Sequence, residues 1–197
     1  MDKLKTSIAL AALTCGLPSA GAANSLVPPG PRSQIARSAF AASPTSEWNR
    51  LSAREGRNVE TWTIDGPQLN KVNFFGGIEV GRPLFREANR RNQPLPRVTA
   101  NMLITDIPAL LESSYRSQFA VSRMSIDSQI PETIGGHQGI RFTYCFVRTD
   151  DQVERRGEAV GAVVGNRLYM VTYEAPAIYF FEKDLEKFRQ LAGTLRM

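Results

Sequence analysis

The amino-acid sequence predicts an α+β fold with a mostly antiparallel sheet, and three features of its C-terminal third carry that prediction. Apolar and polar side chains alternate over residues 140–147, which is the period of a half-buried strand. Two further strand patterns, 156–164 and 167–174, are joined by a Gly-Asn pair that suits a two-residue hairpin turn. An amphipathic helix that begins near Phe180 follows them.

The strand at 167–174 and the closing helix indicate where the core lies. Both faces of this strand are largely apolar, which is typical of a central strand that is covered on both sides. The helix has apolar residues at steps of three or four, and they form one stripe that can pack on the sheet: Phe181, Leu185, Phe188, Ala192 and Leu195.

The middle of the chain supplies the remaining elements of one domain that begins near Trp48. Residues 59–65 and 69–75 predict a hairpin whose second strand ends at Gly76-Gly77. A helix with a buried stripe is predicted over residues 107–119, and a further strand over 122–130. This order of elements is typical of an α+β domain.

Composition limits the function classes. The chain has 197 residues, of which 42% are hydrophobic and 22% charged, as expected for one globular domain with a real core. The net charge of +5 is only mildly basic. Because nucleic-acid binding usually shows as a concentrated basic face, we predict that nucleic acid is not a partner.

Residues 1–22 have the pattern of a signal peptide. Lys3 and Lys5 precede a short apolar run, and Ala20-Gly21-Ala22 has the small side chains of a cleavage site. The apolar run is too short to span a bilayer, so we expect no transmembrane segment in the mature chain. The predicted protein is exported to the periplasm and begins at Ala23.

Cys15 leaves an alternative open, because a lipidated cysteine there would anchor the protein to a membrane. The preceding Ala12-Leu13-Thr14 matches the lipoprotein pattern poorly. In both cases Cys145 has no partner for an intramolecular disulfide, and we expect it to be a buried, inert thiol.

Residues 23–45 are rich in Ala, Ser and Pro, a composition that predicts a flexible tether. The predicted organisation is therefore a signal peptide (1–22), a tether (23–45) and a single domain (46–197).

From about Arg123 onward, the sequence resembles the family that groups PsbP, the extrinsic protein of photosystem II, with the nuclear import factor Mog and bacterial envelope lipoproteins. The matching features are the turn at 135–139 before an aromatic strand, the strand at 168–173 followed by Ala175-Pro176, and the closing helix. The resemblance implies an α/β/α sandwich that is used for binding or assembly in the cell envelope, with no catalytic residues. The segment 82–97 has no counterpart in the family pattern.

That unmatched segment holds the first candidate site. It is polar, broken by prolines, and has one acidic residue, Glu87, among five arginines. The interpretations are a solvated surface loop and an edge that binds an anionic partner. The candidate residues are Arg82, Arg86, Arg90, Arg91 and Arg97.

His137 is the second candidate, as a ligand contact or simply a turn histidine. It is the only histidine, and no spaced cluster of Cys, Asp or Glu accompanies it, so no metal site and no cofactor is predicted. The glycines around it precede a strand, whereas a phosphate-binding loop opens a helix. No catalytic residue is predicted.

Two function classes follow from these observations. The first is an exported, non-enzymatic envelope protein that binds an unknown protein or an anionic envelope component. The alternative is a hydrolase-like enzyme of unrecognised type. A deep pocket at His137 with a serine or aspartate in hydrogen-bond reach would favour the enzyme.

Overall fold

A computed structural model of the chain describes residues 23–89 and 91–197. The predicted signal peptide, Cys15 and Arg90 lie outside this range. The described residues form one eight-stranded antiparallel sheet and two α-helices. Within them, no helix has the length and apolar character that crossing a membrane requires.

The sheet runs in the order β1-β2-β3-β4-β8-β7-β6-β5. Its strands are β1 (Ser25–Val27), β2 (Trp48–Arg50), β3 (Val59–Thr63), β4 (Lys71–Glu79), β5 (Val121–Ile134), β6 (His137–Arg148), β7 (Glu154–Val164) and β8 (Arg167–Pro176). The helices are α1 (Ile107–Gln118) and α2 (Phe180–Gly193). The prediction that the 167–174 strand is central is confirmed, because β8 lies between β4 and β7.

The two helices cover opposite faces of the sheet. In β8, Tyr169, Val171 and Tyr173 pack with the apolar stripe of α2. Leu168 and Met170 pack on the other face with α1. The stripe predicted for the closing helix is buried in full. The chain therefore has an antiparallel sheet with a helix on each side, as the α+β prediction requires.

The hairpin turns have the backbone that their residues favour. Gly165 and Asn166, between β7 and β8, have φ angles of 55° and 58°. Two consecutive left-handed residues give the turn whose twist matches that of paired strands, and Gly and Asn adopt this conformation at the least cost.

Two strands extend beyond their predicted ends. β4 does not stop at Gly76-Gly77 but continues to Glu79, with its register against β8 shifted between Phe75 and Ile78. A β-bulge of this kind uses glycine to bend a strand without ending it. β5 continues through Pro131 to Ile134, which is possible because β5 is an edge strand whose outer side needs no N–H donor.

The predicted tether is wrong, because residues 23–45 belong to the folded domain. β1 pairs with β2, and Ala41 forms a backbone bridge to Arg196 near the C terminus. Ile35 and Phe40 are only 3% and 1% exposed, in the core on the α2 side. The segment as a whole is rich in Ala, Ser and Pro, and that average composition led to the tether prediction. Its few apolar residues nevertheless cover sheet surface beside α2.

The segment 82–97 is not a fully solvated loop either. Leu84, Phe85 and Leu95 are buried in the core on the α1 side. The apolar residues anchor the segment, while the polar residues between them stay at the surface.

A buried polar cluster lies between α1 and the sheet. The ammonium of Lys71 is 2.9 Å from carboxylate oxygens of both Glu55 and Glu174. The Tyr115 hydroxyl donates a 2.5 Å hydrogen bond to Glu174. Burial lowers the pKa of Lys71, but the charges of Glu174 and Glu55 outweigh it, so the net direction is upward. Burial, reinforced by the Glu174 charge, raises the pKa of Tyr115 well above its usual value.

Candidate functional site

Four arginines line one open cavity of about 610 Å³ at the end of the sheet where β4 finishes. We call it the Arg pocket. No carboxylate is among the residues that line it, which are Ala23, Arg37, Arg50, Leu51, Ser52, Ala53, Arg54 and Arg86.

Arg37 reaches the pocket because the short 3-10 helix Ile35–Arg37 packs against the bulge of β4. A Cβ atom on Gly76 would lie 2.3 Å from the Ser38 hydroxyl and 2.9 Å from the Ala36 side chain. Only glycine leaves room for the 3-10 helix to lie this close to β4. The Gly76-Gly77 pair, which was predicted to end a strand, is therefore the point at which the 3-10 helix packs on the sheet.

Arg50 and Arg54 come from the end of β2 and the loop that leads to β3. The Arg50 Nε donates a 3.0 Å hydrogen bond to the Ser25 hydroxyl of β1. Arg54 donates through Nη1 to the Val59 carbonyl at 3.3 Å. These contacts hold both side chains against the sheet edge while their remaining N–H groups stay available.

Glu60 connects these parts from beneath. Glu60 is only 6% exposed. Its carboxylate accepts hydrogen bonds from Trp62 Nε1 at 2.9 Å and from the Ala36 backbone N–H at 3.3 Å. It also lies 3.8 Å from Arg54 Nη2. One buried carboxylate therefore positions both the segment that carries Arg37 and the Arg54 guanidinium.

Arg86 is brought to the pocket by a close contact between two loops. Its backbone N–H donates a 2.7 Å hydrogen bond to the Glu55 carbonyl. Beside it, a Cβ atom on Gly56 would lie 2.5 Å from the Leu84 carbonyl oxygen, a distance that only glycine avoids. The anchored segment 82–97 is thus fastened to the β2–β3 loop.

The charges of the pocket are largely uncompensated. Within the described residues, Arg37, Arg50 and Arg86 have no carboxylate at ion-pair distance, and Arg54 has one at 3.8 Å. Most other arginines of the described chain do have such a partner: Arg97, Arg116, Arg123, Arg141, Arg148, Arg155, Arg156, Arg167 and Arg189. Guanidinium groups presented in this way can fork onto the oxygens of a phosphate or carboxylate.

Of the arginines predicted in segment 82–97, only Arg86 is in the pocket. Arg97 forms a 2.6 Å ion pair with Glu87 and donates a 2.7 Å hydrogen bond to the Gly81 carbonyl, so it closes the base of its own loop. Arg82 and Arg91 are exposed and do not line the pocket. Arg90 lies outside the described residues.

His137 does not join the Arg pocket. It is half-buried at the start of β6, and β8 and β7 separate that strand from β4, which precedes the arginine segment. In the part of the chain that the structure describes, it has no hydrogen bond to a serine or carboxylate, and no cluster of three metal-binding side chains is found.

A second cavity, of about 370 Å³, lies between α2 and strands β6 and β7. Both arginines in its lining pair with lining carboxylates, Arg189 with Glu158 and Arg156 with Glu182. Cys145 borders this cavity and is half-buried, with its Sγ 3.2 Å from the Ser125 hydroxyl. The expected burial of this thiol is therefore only partial.

Sequence reasoning missed Arg37, Arg50 and Arg54 as site residues. Arg37 lies in the segment that was predicted to be a tether. A usable signal was present in the stretch from Arg50 to Arg57, which holds three arginines and a single glutamate. Such local charge density resembles that of segment 82–97.

Comparison with known proteins yields a distant structural likeness. The sequence matches no known protein family and no curated protein. Among solved structures, the chain is similar to LpqN, a protein involved in cell envelope biogenesis of Mycobacterium tuberculosis. The identity is 7%, the TM-score is 0.34, and the alignment covers 91% of this chain and 86% of LpqN.

Proposed function

We propose that this protein is an exported, non-enzymatic binding module of the cell envelope, and that its Arg pocket binds a phosphate-bearing anion. The single observation that carries the proposal is the convergence of Arg37, Arg50, Arg54 and Arg86 on one cavity with no carboxylate in its lining. Export is the inference from the signal-peptide pattern. The binding role agrees with the resemblance to the PsbP and Mog family.

The repulsion among the arginines argues for a ligand rather than for a structural role. Like charges held close together destabilise the folded state unless a counter-charge is present. Here the fold brings together three segments of the chain, each of which carries at least one of the arginines. Contacts of Glu60, Gly56 and Gly76 hold these segments in place, although the arrangement places like charges side by side. An anion in the cavity would relieve it.

Phosphate fits the cavity better than a carboxylate does. Guanidinium groups recognise both through paired N–H donors, but four of them present more donors than one carboxylate can accept. A phosphate group offers more oxygens and, as a monoester, up to two negative charges. It can belong to a lipid headgroup or to a soluble phosphate compound.

The test compares two triple variants of equal charge. The pocket variant is Arg37→Gln, Arg50→Gln and Arg86→Gln. The control is Arg116→Gln, Arg123→Gln and Arg148→Gln, which removes the same charge from exposed, ion-paired arginines elsewhere. Cosedimentation with phosphatidylglycerol and phosphatidylcholine vesicles measures lipid binding, and calorimetry with inorganic pyrophosphate measures binding of a soluble phosphate.

We expect the parent chain and the control variant to bind an anionic probe at low salt, and the pocket variant to lose at least about tenfold in affinity. Binding should weaken as salt rises, because the interaction is electrostatic. Binding to the vesicles alone would identify a lipid headgroup as the source of the phosphate, and binding to pyrophosphate alone would identify a soluble phosphate compound. Equal binding by the two variants, or no binding of either probe, would overturn the proposal.

A further inference from the structure

Ala23 forms part of the wall of the Arg pocket. Ala23 lines the cavity together with the four arginines. The residues that follow it are held in place, since Asn24 Oδ1 accepts a 2.9 Å hydrogen bond from the Ser52 backbone N–H and Ser25 is paired with Arg50 in the sheet. Ala23 is therefore held beside the arginines that line the same cavity.

The sequence predicts that signal-peptide cleavage falls immediately before this residue, after Ala22. In the precursor, the Ala23 nitrogen is an uncharged peptide N–H. After cleavage it is an α-ammonium, a cation with three N–H donors. Processing would thus change the charge of the pocket wall at the point where the chain enters it.

We propose that removal of the signal peptide completes the Arg pocket, by converting the Ala23 nitrogen into a fifth cation that contacts the bound phosphate. This inference rests on the proposed function, and it adds a form of control. The mature protein binds its anion more tightly than the precursor does, so that ligand binding favours protein that has been exported and processed.

The contribution of the Ala23 amine to anion affinity can be measured through its pH dependence, because of the charged groups around it. The pocket side chains that line the cavity with it are Arg37, Arg50, Arg54 and Arg86. Two carboxylates next to pocket residues are already paired, Glu60 with Arg54 and Glu55 with Lys71. The Ala23 amine is the group of this pocket expected to titrate near neutral pH, where an α-amino group ordinarily has a pKa of about 7.7–8.0.

Binding should therefore be linked to protonation of this amine. The four guanidinium groups disfavour a further positive charge in the empty pocket, and a bound phosphate offsets them. The ammonium form is favoured in the complex, so the advantage that the amine gives is present at neutral pH and is lost as the pH rises and the amine is deprotonated.

The experiment compares the chain that begins with a free amine at Ala23 with the same chain enzymatically acetylated at that nitrogen. Acetylation removes the charge, as the peptide bond of the precursor does, and adds little bulk. Affinities for phosphatidylglycerol vesicles and for inorganic pyrophosphate are measured at pH 7 and pH 10. The ratio of the two chains' affinities cancels the titration of the probe itself.

We expect the free-amine chain to bind roughly fivefold more tightly at pH 7, the effect of one partly exposed charge-assisted contact, and the ratio to approach one at pH 10. Equal affinities at pH 7, with binding still lost in the pocket variant, would overturn this inference and leave the proposed function intact. A difference that does not change with pH would also overturn it. Absence of binding by both chains to both probes would overturn the two proposals together.

The natural N terminus provides an independent test. Mass spectrometry of the protein isolated from its host should find a chain that begins at Ala23, because the charged start, the short apolar run and the Ala-Gly-Ala site predict cleavage there. An intact Met1, or a lipid on Cys15, would contradict the predicted cleavage and with it the fifth cation.

Discussion

Replacing Phe188 with alanine should lower the free energy of unfolding by about 3–5 kcal/mol, which is a large part of the stability of a typical domain. Phe188 is fully buried in the middle of the α2 stripe. Its ring stacks on Tyr173 of the central strand, with 5.5 Å between ring centroids. Truncation removes this contact and leaves a cavity between helix and sheet.

Urea unfolding measures the effect through the transition midpoint. The control is Phe188→Leu, which keeps most of the volume and should cost less than about 1.5 kcal/mol. A cost below about 1 kcal/mol for Phe188→Ala would contradict the close packing of α2 on β8.

Replacing Lys71 with methionine should destabilise the fold by a similar amount, about 3–5 kcal/mol, because it leaves Glu174 charged and nearly buried without its cation. The Tyr115 hydroxyl would still donate its hydrogen bond to that carboxylate, but the directly paired cation would be gone. Adding Glu174→Gln to Lys71→Met should recover much of the loss, since the second change removes the uncompensated charge.

The contrast with a surface ion pair supplies the control. Lys183 pairs with Asp65 at 2.6 Å, but both side chains are partly exposed, so Lys183→Met should cost much less stability than Lys71→Met. If Lys71→Met costs no more than Lys183→Met in urea unfolding, the cluster is not the buried ionic core that its geometry indicates.

The pH dependence of the Lys71 contribution follows from the direction of its shift. Its pKa is raised in the folded protein, so the lysine is protonated in both states below its unfolded value of about 10.4. Its stabilising contribution is fully present there, and is lost as the pH rises through the folded pKa. The difference in stability between the parent chain and the double variant Lys71→Met, Glu174→Gln, which leaves no unpaired carboxylate at position 174, should therefore be constant from pH 6 to pH 9.

The part of the fold that could be predicted from sequence is the part in which local pattern and tertiary burial agree. The alternation in β8, the stripe of α2 and the turn at Gly165-Asn166 each express a backbone preference and a packing requirement at once. The central position of β8 could be predicted because both of its faces are apolar.

The parts that were missed depend on contacts between residues far apart in sequence. Ile35 and Phe40 stand singly among serines, alanines and prolines, and their burial is decided by strands that follow much later in the chain. Gly76 looks like a strand end, yet it is the place where the Ala36 segment lies on the sheet. Neither contact can be predicted from the periodicity of apolar residues in the local sequence.

The Arg pocket could be predicted only in part for the same reason. The density of arginines in segment 82–97 predicts Arg86 as a site residue, but the other arginines of the cavity come from other segments. Arg97, equally prominent in sequence, is consumed by its ion pair with Glu87. Charge density in sequence indicates candidates, whereas pairing in the fold decides which of them remain available.

The position of β8 in the sheet also bears on when the protein can fold. Strands β1 to β4 and strands β5 to β7 form two groups that only β8 joins, and the bridge from Ala41 to Arg196 closes the structure near the C terminus. During synthesis β4 has no inner neighbour until β8 has been made, and pairing across such long sequence separations is slow. Export, as proposed for this protein, requires a chain that is still unfolded when it crosses the membrane, and a topology that folds slowly lengthens the time in which that is possible.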